Sequence, residues 1–255
     1  MRHIYFKRPD IVVDIEKLQM LLDFKAQGAH LVVGSFSDQQ SLVNAVKLVD
    51  AVICAISGVH IRSHQILLQL KLVDAIKEAG NVKRFFPSEF GTDPATMSNA
   101  MEHGRITFDD KMVVRRAIEE AGIPFTYVSA NCFAGYFLGG LCQPGHIIPS
   151  RDSVTLLGDG NQKASYVDED DIAMYTIKTI DDPRTLNKTL YTRPPKNIVT
   201  KRSCGDMGET DRKRAAEIRN FQGRVSSFHE RRRLCRASWV DTLLSCVLRG
   251  MSYKF

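Results

Sequence analysis

Two cations four residues apart are the first place to look for chemistry in this chain. Lys111 and Arg115 stand in the run Thr107-Phe108-Asp109-Asp110-Lys111-Met112-Val113-Val114-Arg115. On a helix, residues at i and i+4 share one face, so the two side chains can point into one cleft. Partial burial or a neighbouring cation lowers a lysine's pKa and turns the amine into a usable base near neutral pH. Spacing alone equally fits a solvated Lys/Arg face, which is the commoner arrangement.

The bulk properties limit what such a site could serve. With 255 residues the chain can make one large α/β domain or two small ones. Hydrophobic residues make up 44% and charged residues 25%, as in ordinary soluble globular proteins. No apolar run approaches the roughly 20 residues of a membrane helix, and the start, Met1 to Lys7, is too short in apolar residues for a signal peptide. Cys54, Cys132, Cys142, Cys204, Cys235 and Cys246 show no metal-ligand spacing, so reduced thiols, no metal and a cytoplasmic location are expected. The net charge of +6 is unevenly spread: after residue 200 there are 13 Lys/Arg against 6 Asp/Glu, before it 22 against 23. Within the basic tail the run Arg231-Arg232-Arg233 lacks interleaved aromatics or a known binding motif, so no nucleic acid is expected as a partner, and the lack of a long apolar run argues against a membrane.

The elements that must position Lys111 alternate between short apolar runs and helical patterns, the mark of βα units and a mainly parallel sheet. Strands are predicted at His3–Phe6, His30–Gly34, Ala51–Ala55, Lys83–Pro87 and Phe125–Ser129. Ile15–Gln27 should be a helix with Leu18, Leu21 and Leu22 on one face, stopped by Gly28. Ser63–Ala79, with Ile66, Leu67, Leu70, Val73 and Ile76, stops at Gly80. Thr107–Ala121, with Met112, Val113, Ala117 and Ile118, stops at Gly122. Val154–Leu157 and Lys163–Tyr166 flank Gly158-Asp159-Gly160-Asn161 as a hairpin, and Asp168 should cap a helix to about Thr179. The layout is that of a doubly wound, Rossmann-like α/β fold, which binds ligands at the carboxyl ends of its strands. No GxGxxG-type turn lies between a strand and a helix. Lys7-Arg8 follows the first strand, with Lys17 further on; if that strand is the second of such a fold, a cation there favours NADP over NAD. Plain surface charge at a strand end is the alternative.

Four strings converge on one family: Lys83-Arg84-Phe85-Phe86-Pro87-Ser88-Glu89-Phe90-Gly91, Phe108 to Arg115, Ile123 to Phe137, and Thr185-Leu186-Asn187-Lys188-Thr189-Leu190-Tyr191. From about His3 to Val199 the chain resembles the plant pinoresinol–lariciresinol reductases, of the NmrA-like branch of atypical short-chain dehydrogenases. Asp93-Pro94-Ala95 and Glu102 to Phe108 favour these over their isoflavone and phenylcoumaran benzylic ether reductase cousins. The resemblance implies an NADPH-dependent opening of a benzylic ether in a furofuran or furan lignan, pinoresinol to lariciresinol to secoisolariciresinol. It makes Lys111 the general base that takes a phenolic proton, so that the benzylic C–O bond opens to a quinone methide and hydride reaches the benzylic carbon. It makes Arg115 a cofactor contact and Arg8 and Lys17 the holders of the 2′-phosphate. Ser129, Asn131 and Phe133 would line the nicotinamide pocket, with Ser57 and Gly58 as further contacts. Family members are often dimers, so a homodimer is expected. A non-catalytic NmrA-like dinucleotide-binding protein is the alternative from another class; Lys111 argues against it, since a sensor has no use for a base.

The chain departs from the family at both ends. The Gly-rich loop and first strand of the family have no counterpart, so the sheet should lack a central member and the cofactor an anchor, which implies impaired activity. Residues 1–150 would form a truncated dinucleotide-binding domain and 151–200 a partial substrate-binding region. Residues 201–255 no longer resemble the family, and one-base-shifted codons for Lys201–Arg214 and Phe228–Phe255 can encode family-like segments. An out-of-frame, poorly ordered tail is therefore expected, a matter the nucleotide sequence decides.

Overall fold

Ala51–Cys54 is an unbroken apolar run whose four residues are all buried, as a strand covered on both faces requires. The computed structural model describes residues 2–7, 15–56, 65–100, 102–137, 163–193, 198–199 and 246–250. Within them β1 (Arg2–Lys7), α1 (Ile15–Ala26), β2 (Ala29–Val33), α2 (Gln39–Val46), β3 (Ala51–Cys54), a 3₁₀ turn (Gln65–Leu68), α3 (Gln69–Ala79) and β4 (Arg84–Phe86) follow one another. Next come α4 (Glu102–Glu120), β5 (Thr126–Ser129), β6 (Cys132–Phe133), α5 (Ala134–Phe137), β7 (Lys163–Ala164), β8 (Tyr166–Val167), α6 (Glu169–Lys178), β9 (Lys188–Tyr191), β10 (Ile198–Val199) and β11 (Cys246–Gly250).

The main sheet has the order β2-β1-β11-β3-β4. β1 runs parallel to β2 and β3 parallel to β4, with Val52 opposite Phe85. Parallel bridges Phe85–Phe125 and Gly91–Ser129 connect β4 to the next strand, and β5 is parallel to β9. Alternate residues feed two cores, as the period of a strand demands. Val52, Cys54, Phe85 and Tyr127 pack with Val43 and Val46 of α2, Leu72 and Ile76 of α3, and Val114 and Ile118 of α4. Ala51, Ile53, Phe86 and Val128 pack on the other face with Ile180, just beyond α6. Helices on both faces of a largely parallel sheet make the fold doubly wound.

Several expectations change in detail. The slot between β1 and β3, expected to stand empty, holds β11, antiparallel to both, with Leu248 opposite Ile4 on one side and Val52 on the other. Cys246–Gly250 of the tail pair along both edges of that slot, where a gap would leave two rows of backbone donors and acceptors unmatched. α4 begins at Glu102 rather than Thr107. Of the expected helix Ser63–Ala79, the described residues form a 3₁₀ turn, Gln65–Leu68, followed by an α-helix, Gln69–Ala79. Val154–Leu157 lies outside the described residues; Lys163–Ala164 pairs with β10 and Tyr166–Val167 with β6. Leu22, expected on the buried face of α1, is half exposed.

The helix ends are set as the sequence implies. Gly80 closes α3 at φ 67° and donates its N–H to Ile76 O, a conformation that costs glycine nothing. The Asp168 carboxylate caps α6 by accepting from Asp170 N at 2.8 Å, and Glu169, Asp170 and Asp171 meet the positive end of the helix dipole.

Candidate functional site

The buried stripe of α4 is Lys111, Val114, Arg115 and Ile118, spaced three and four apart. Hydropathy alone rotates the helix towards Met112, Val113 and Ala117, which are only partly buried. Lys111 is 9% exposed and Arg115 6%, which overturns the solvated-face alternative. Each cation reaches back to the loop after β4. Lys111 Nζ donates to the Glu89 carbonyl oxygen at 2.6 Å. Arg115 grips the Glu89 carboxylate with Nε at 3.1 Å and Nη2 at 2.6 Å. Its Nη1 lies 3.0 Å from Asp93 Oδ1. The guanidinium lies 4.4 Å over the Tyr127 ring. The Tyr127 hydroxyl donates to Glu119 Oε1 at 3.1 Å, and the Tyr191 hydroxyl donates to Asp93 Oδ2.

Parallel β3, β4, β5 and β9 bring the residues after them to one edge of the sheet, the carboxyl edge where such folds bind ligands. A seam of hydrogen bonds holds that edge together. Ser88 N–H donates to Gln69 Oε1 at 2.7 Å, and its hydroxyl to Ile56 O at 2.6 Å. Ser129 Oγ donates to Gly91 O at 3.3 Å. Asn131 sits at φ 55°, with its N–H on Gly91 O at 3.1 Å and Nδ2 on Thr192 O at 2.8 Å. A left-handed asparagine is strained unless its surroundings hold it, and these two bonds do so. Phe133 packs against Ala130, Val167 and Ile172. The Glu169 carboxylate accepts the Gly135 N–H at 3.2 Å.

The electrostatics follow from burial and these pairings. Burial pushes the Lys111 amine below its ordinary 10.5; Glu89 pulls it up and Arg115 presses it further down. Burial also works against the Arg115 charge, but Glu89 and Asp93 outweigh it and raise its pKa. Burial raises the Asp93 carboxyl, yet the Tyr191 hydroxyl, the Ala95 N–H and Arg115 together hold it below the usual carboxylate value. The hydrogen bond to Asp93 raises the Tyr191 phenol, and burial beside Glu119 raises that of Tyr127.

The structure thus gathers Lys111, Arg115 and Ser129 around Glu89 and Gly91, with Asn131 and Phe133 alongside on the same edge. Lys17 lies on α1, the first helix after β1. Arg8, Ser57 and Gly58 lie outside the described residues. Glu89, Asp93 and Tyr191 went unassigned by motif reasoning. One signal was available: Glu89 stands between Phe86 and Phe90 in an otherwise apolar strand end, and a buried acid needs a cation. Among the described residues no group of His, Cys, Asp or Glu is arranged to hold a metal ion, and no helix is long and apolar enough to cross a membrane.

A doubly wound sheet with a buried lysine–arginine pair on its carboxyl edge defines a class, and residues 10–211 match the NmrA-like family, to which the chain belongs. More narrowly, it is 82% identical over 196 residues to bifunctional pinoresinol-lariciresinol reductase 2 of Linum usitatissimum, a match covering 77% of this chain and 59% of that protein. It is 73% identical over 202 residues to bifunctional pinoresinol-lariciresinol reductase of Sinopodophyllum hexandrum, covering 79% and 65%. Among solved structures it resembles AtPrR2 with NADP+ and (+)-pinoresinol, at 61% identity and TM-score 0.73, covering 78% of this chain and 64% of that one. The chain therefore spans about three fifths of the length of such relatives.

Proposed function

We propose that the chain carries the core of an NADPH-dependent reductase that opens the benzylic ether of furofuran and furan lignans, with Lys111 as the base. One observation carries this: a buried lysine at the carboxyl edge of the sheet, pKa lowered, whose single hydrogen-bond partner among the described residues is a carbonyl. An ammonium ion wants three acceptors; here one is given. The neutral amine is satisfied by donating one N–H to Glu89 O, which leaves its lone pair free to take a phenolic proton. The resulting phenolate expels the para-benzylic oxygen, and the quinone methide that forms is the electrophile to be reduced.

Gly91 lies beside the amine: a Cβ there would stand 3.7 Å from Lys111 Nζ. NADPH, when bound, supplies the hydride. Arg115, Ser129, Asn131, Phe133, Ser57 and Gly58 would hold it, and Arg8 and Lys17 its 2′-phosphate. The same proposal covers a cytoplasmic homodimer and a chain divided into a dinucleotide-binding part (1–150), a partial substrate-binding region (151–200) and an aberrant tail (201–255). It is tested by incubating the purified chain with NADPH and pinoresinol and looking for lariciresinol. Lys111→Ala should abolish reduction while leaving NADPH binding nearly unchanged. Retained turnover in Lys111→Ala refutes the base; conversion of isoflavones instead of lignans refutes the substrate class.

A further inference from the structure

We propose that Glu89 is the positioning residue for Lys111: its main-chain carbonyl fixes the amine, and its carboxylate takes up the charge of Arg115. This rests on the reading of Lys111 as the base. Lys111 and Arg115 are neighbours on one buried stripe, and two cations that close repel each other unless a counter-charge lies between them. Glu89 meets both. Its two carboxylate oxygens receive Nε and Nη2 of Arg115, a fork-to-fork pairing that fixes the guanidinium plane. Its carbonyl, on the same residue, holds Nζ at 2.6 Å. Rotation of the Glu89 side chain away from Arg115 would therefore unpair the guanidinium and withdraw the carboxylate's charge from the amine, while the main-chain carbonyl stays in place.

Among the described residues, the acids that meet Arg115 and Tyr127 fit this division. Asp93, from the same loop, takes Nη1 of Arg115 and the Tyr191 hydroxyl of β9. Glu119 of α4 takes the hydroxyl of Tyr127 from β5, whose ring lies under Arg115. Asp93 and Glu119 are thus committed to other donors, and the carboxylate that raises the Lys111 amine is that of Glu89. Gly91, two residues on, lies beside the same carbonyl: a Cβ there would stand 3.4 Å from Glu89 O and 3.7 Å from Lys111 Nζ. Glu89 thereby decides both where the amine points and how readily it gives up its proton.

The experiment is an NMR titration of Lys111 in the full chain with isotope-labelled lysine, which needs no turnover. Glu89→Gln keeps the carbonyl and removes the charge, so the proton affinity of Lys111 should fall about tenfold or more. Glu89→Asp should restore most of it. The acid limb of kcat/KM for lignan reduction should move in the same direction as the titration. If Glu89→Gln does not fold, Glu89→Gln with Arg115→Met removes both charges and relieves the unpaired cation; Lys111 should then titrate, in a folded chain, close to its value in the parent. A Lys111 titration unchanged in Glu89→Gln, or strongly displaced in the double variant, overturns the proposal. Retained reduction by Lys111→Ala overturns the base reading alone and leaves the titration result standing.

Discussion

Arg115→Met keeps most of the side chain's length and removes its charge. The ion pairs it breaks are deeply buried, with side-chain exposures of 7% for Arg115, 3% for Glu89 and 6% for Asp93. Two carboxylates would lose a partner at 2.6 and 3.0 Å with no water to replace it. Removing one partner of a buried pair costs about 3–5 kcal/mol, against about 0–1 for an exposed pair. The guanidinium–Tyr127 contact at 4.4 Å is lost with it and falls within that range. A native domain has only about 5–15 kcal/mol to lose. With a urea slope of about 1–3 kcal/mol per molar, the midpoint should drop by about 1–5 M. The loss should shrink in acid. Asp93 is held below its ordinary value in the fold, so its contribution is present above the unfolded carboxylate pKa and lost as pH falls through the folded one. The variant, lacking Arg115, has less of that contribution to lose. Adding Glu89→Gln and Asp93→Asn to Arg115→Met should recover much of the midpoint. A loss below about 1 kcal/mol at neutral pH would place the cluster with surface pairs and refute the reasoning.

Three other perturbations test the fold around the site. Gly135→Ala sets a Cβ 2.8 Å from Glu169 Oε1, so the flexible carboxylate must swing aside and release the Gly135 N–H; the cost should be that hydrogen bond, about 1 kcal/mol by urea denaturation, and should vanish in a Glu169→Ala background. Gly80→Ala meets nothing within 4 Å, so the cost is backbone alone: about 1 kcal/mol, or about 2–4 °C in Tm by calorimetry. Lys111→Met should be neutral or stabilising at neutral pH, because burial penalises the ammonium. The folded pKa lies below 10.5, so the native parent binds fewer protons than its unfolded chain between those values. Its stability should therefore climb with pH relative to Lys111→Met, and a constant difference from about pH 7 to 10 would contradict the lowered pKa.

How far the sequence could be read depended on how local the cause was. β3 and β4 were legible because apolar runs bounded by turn residues carry their own evidence of burial. Gly80 and Asp168 announced helix ends through their backbone and capping chemistry. The face of α4 was not legible by hydropathy, because Lys111 and Arg115 are buried only by virtue of Glu89, on another element. Periodicity cannot see a partner that far away: spacing singles out the Lys111–Arg115 pair but fits a solvated face equally, and only the family strings favour a base. β11 was missed for the same reason, since Val247 finds its place opposite Tyr5. Lys163–Ala164 reads as half of a hairpin because its flank carries a turn signal; it pairs with Ile198–Val199, a partner the turn signal does not announce, and the other half lies outside the described residues.

Cys54 ends β3 fully enclosed, whereas Cys132 begins β6 partly exposed. Among the described residues they form no disulfide with each other. The two thiols therefore report on different depths of the same molecule. A thiol reagent added under native conditions can reach Cys132 through small fluctuations at the edge of the sheet, but Cys54 only when the core opens. Peptide-resolved labelling over time would read local opening at one sulfur and global opening at the other. The chain carries a built-in pair of clocks, one beside the candidate site and one in the middle of its sheet.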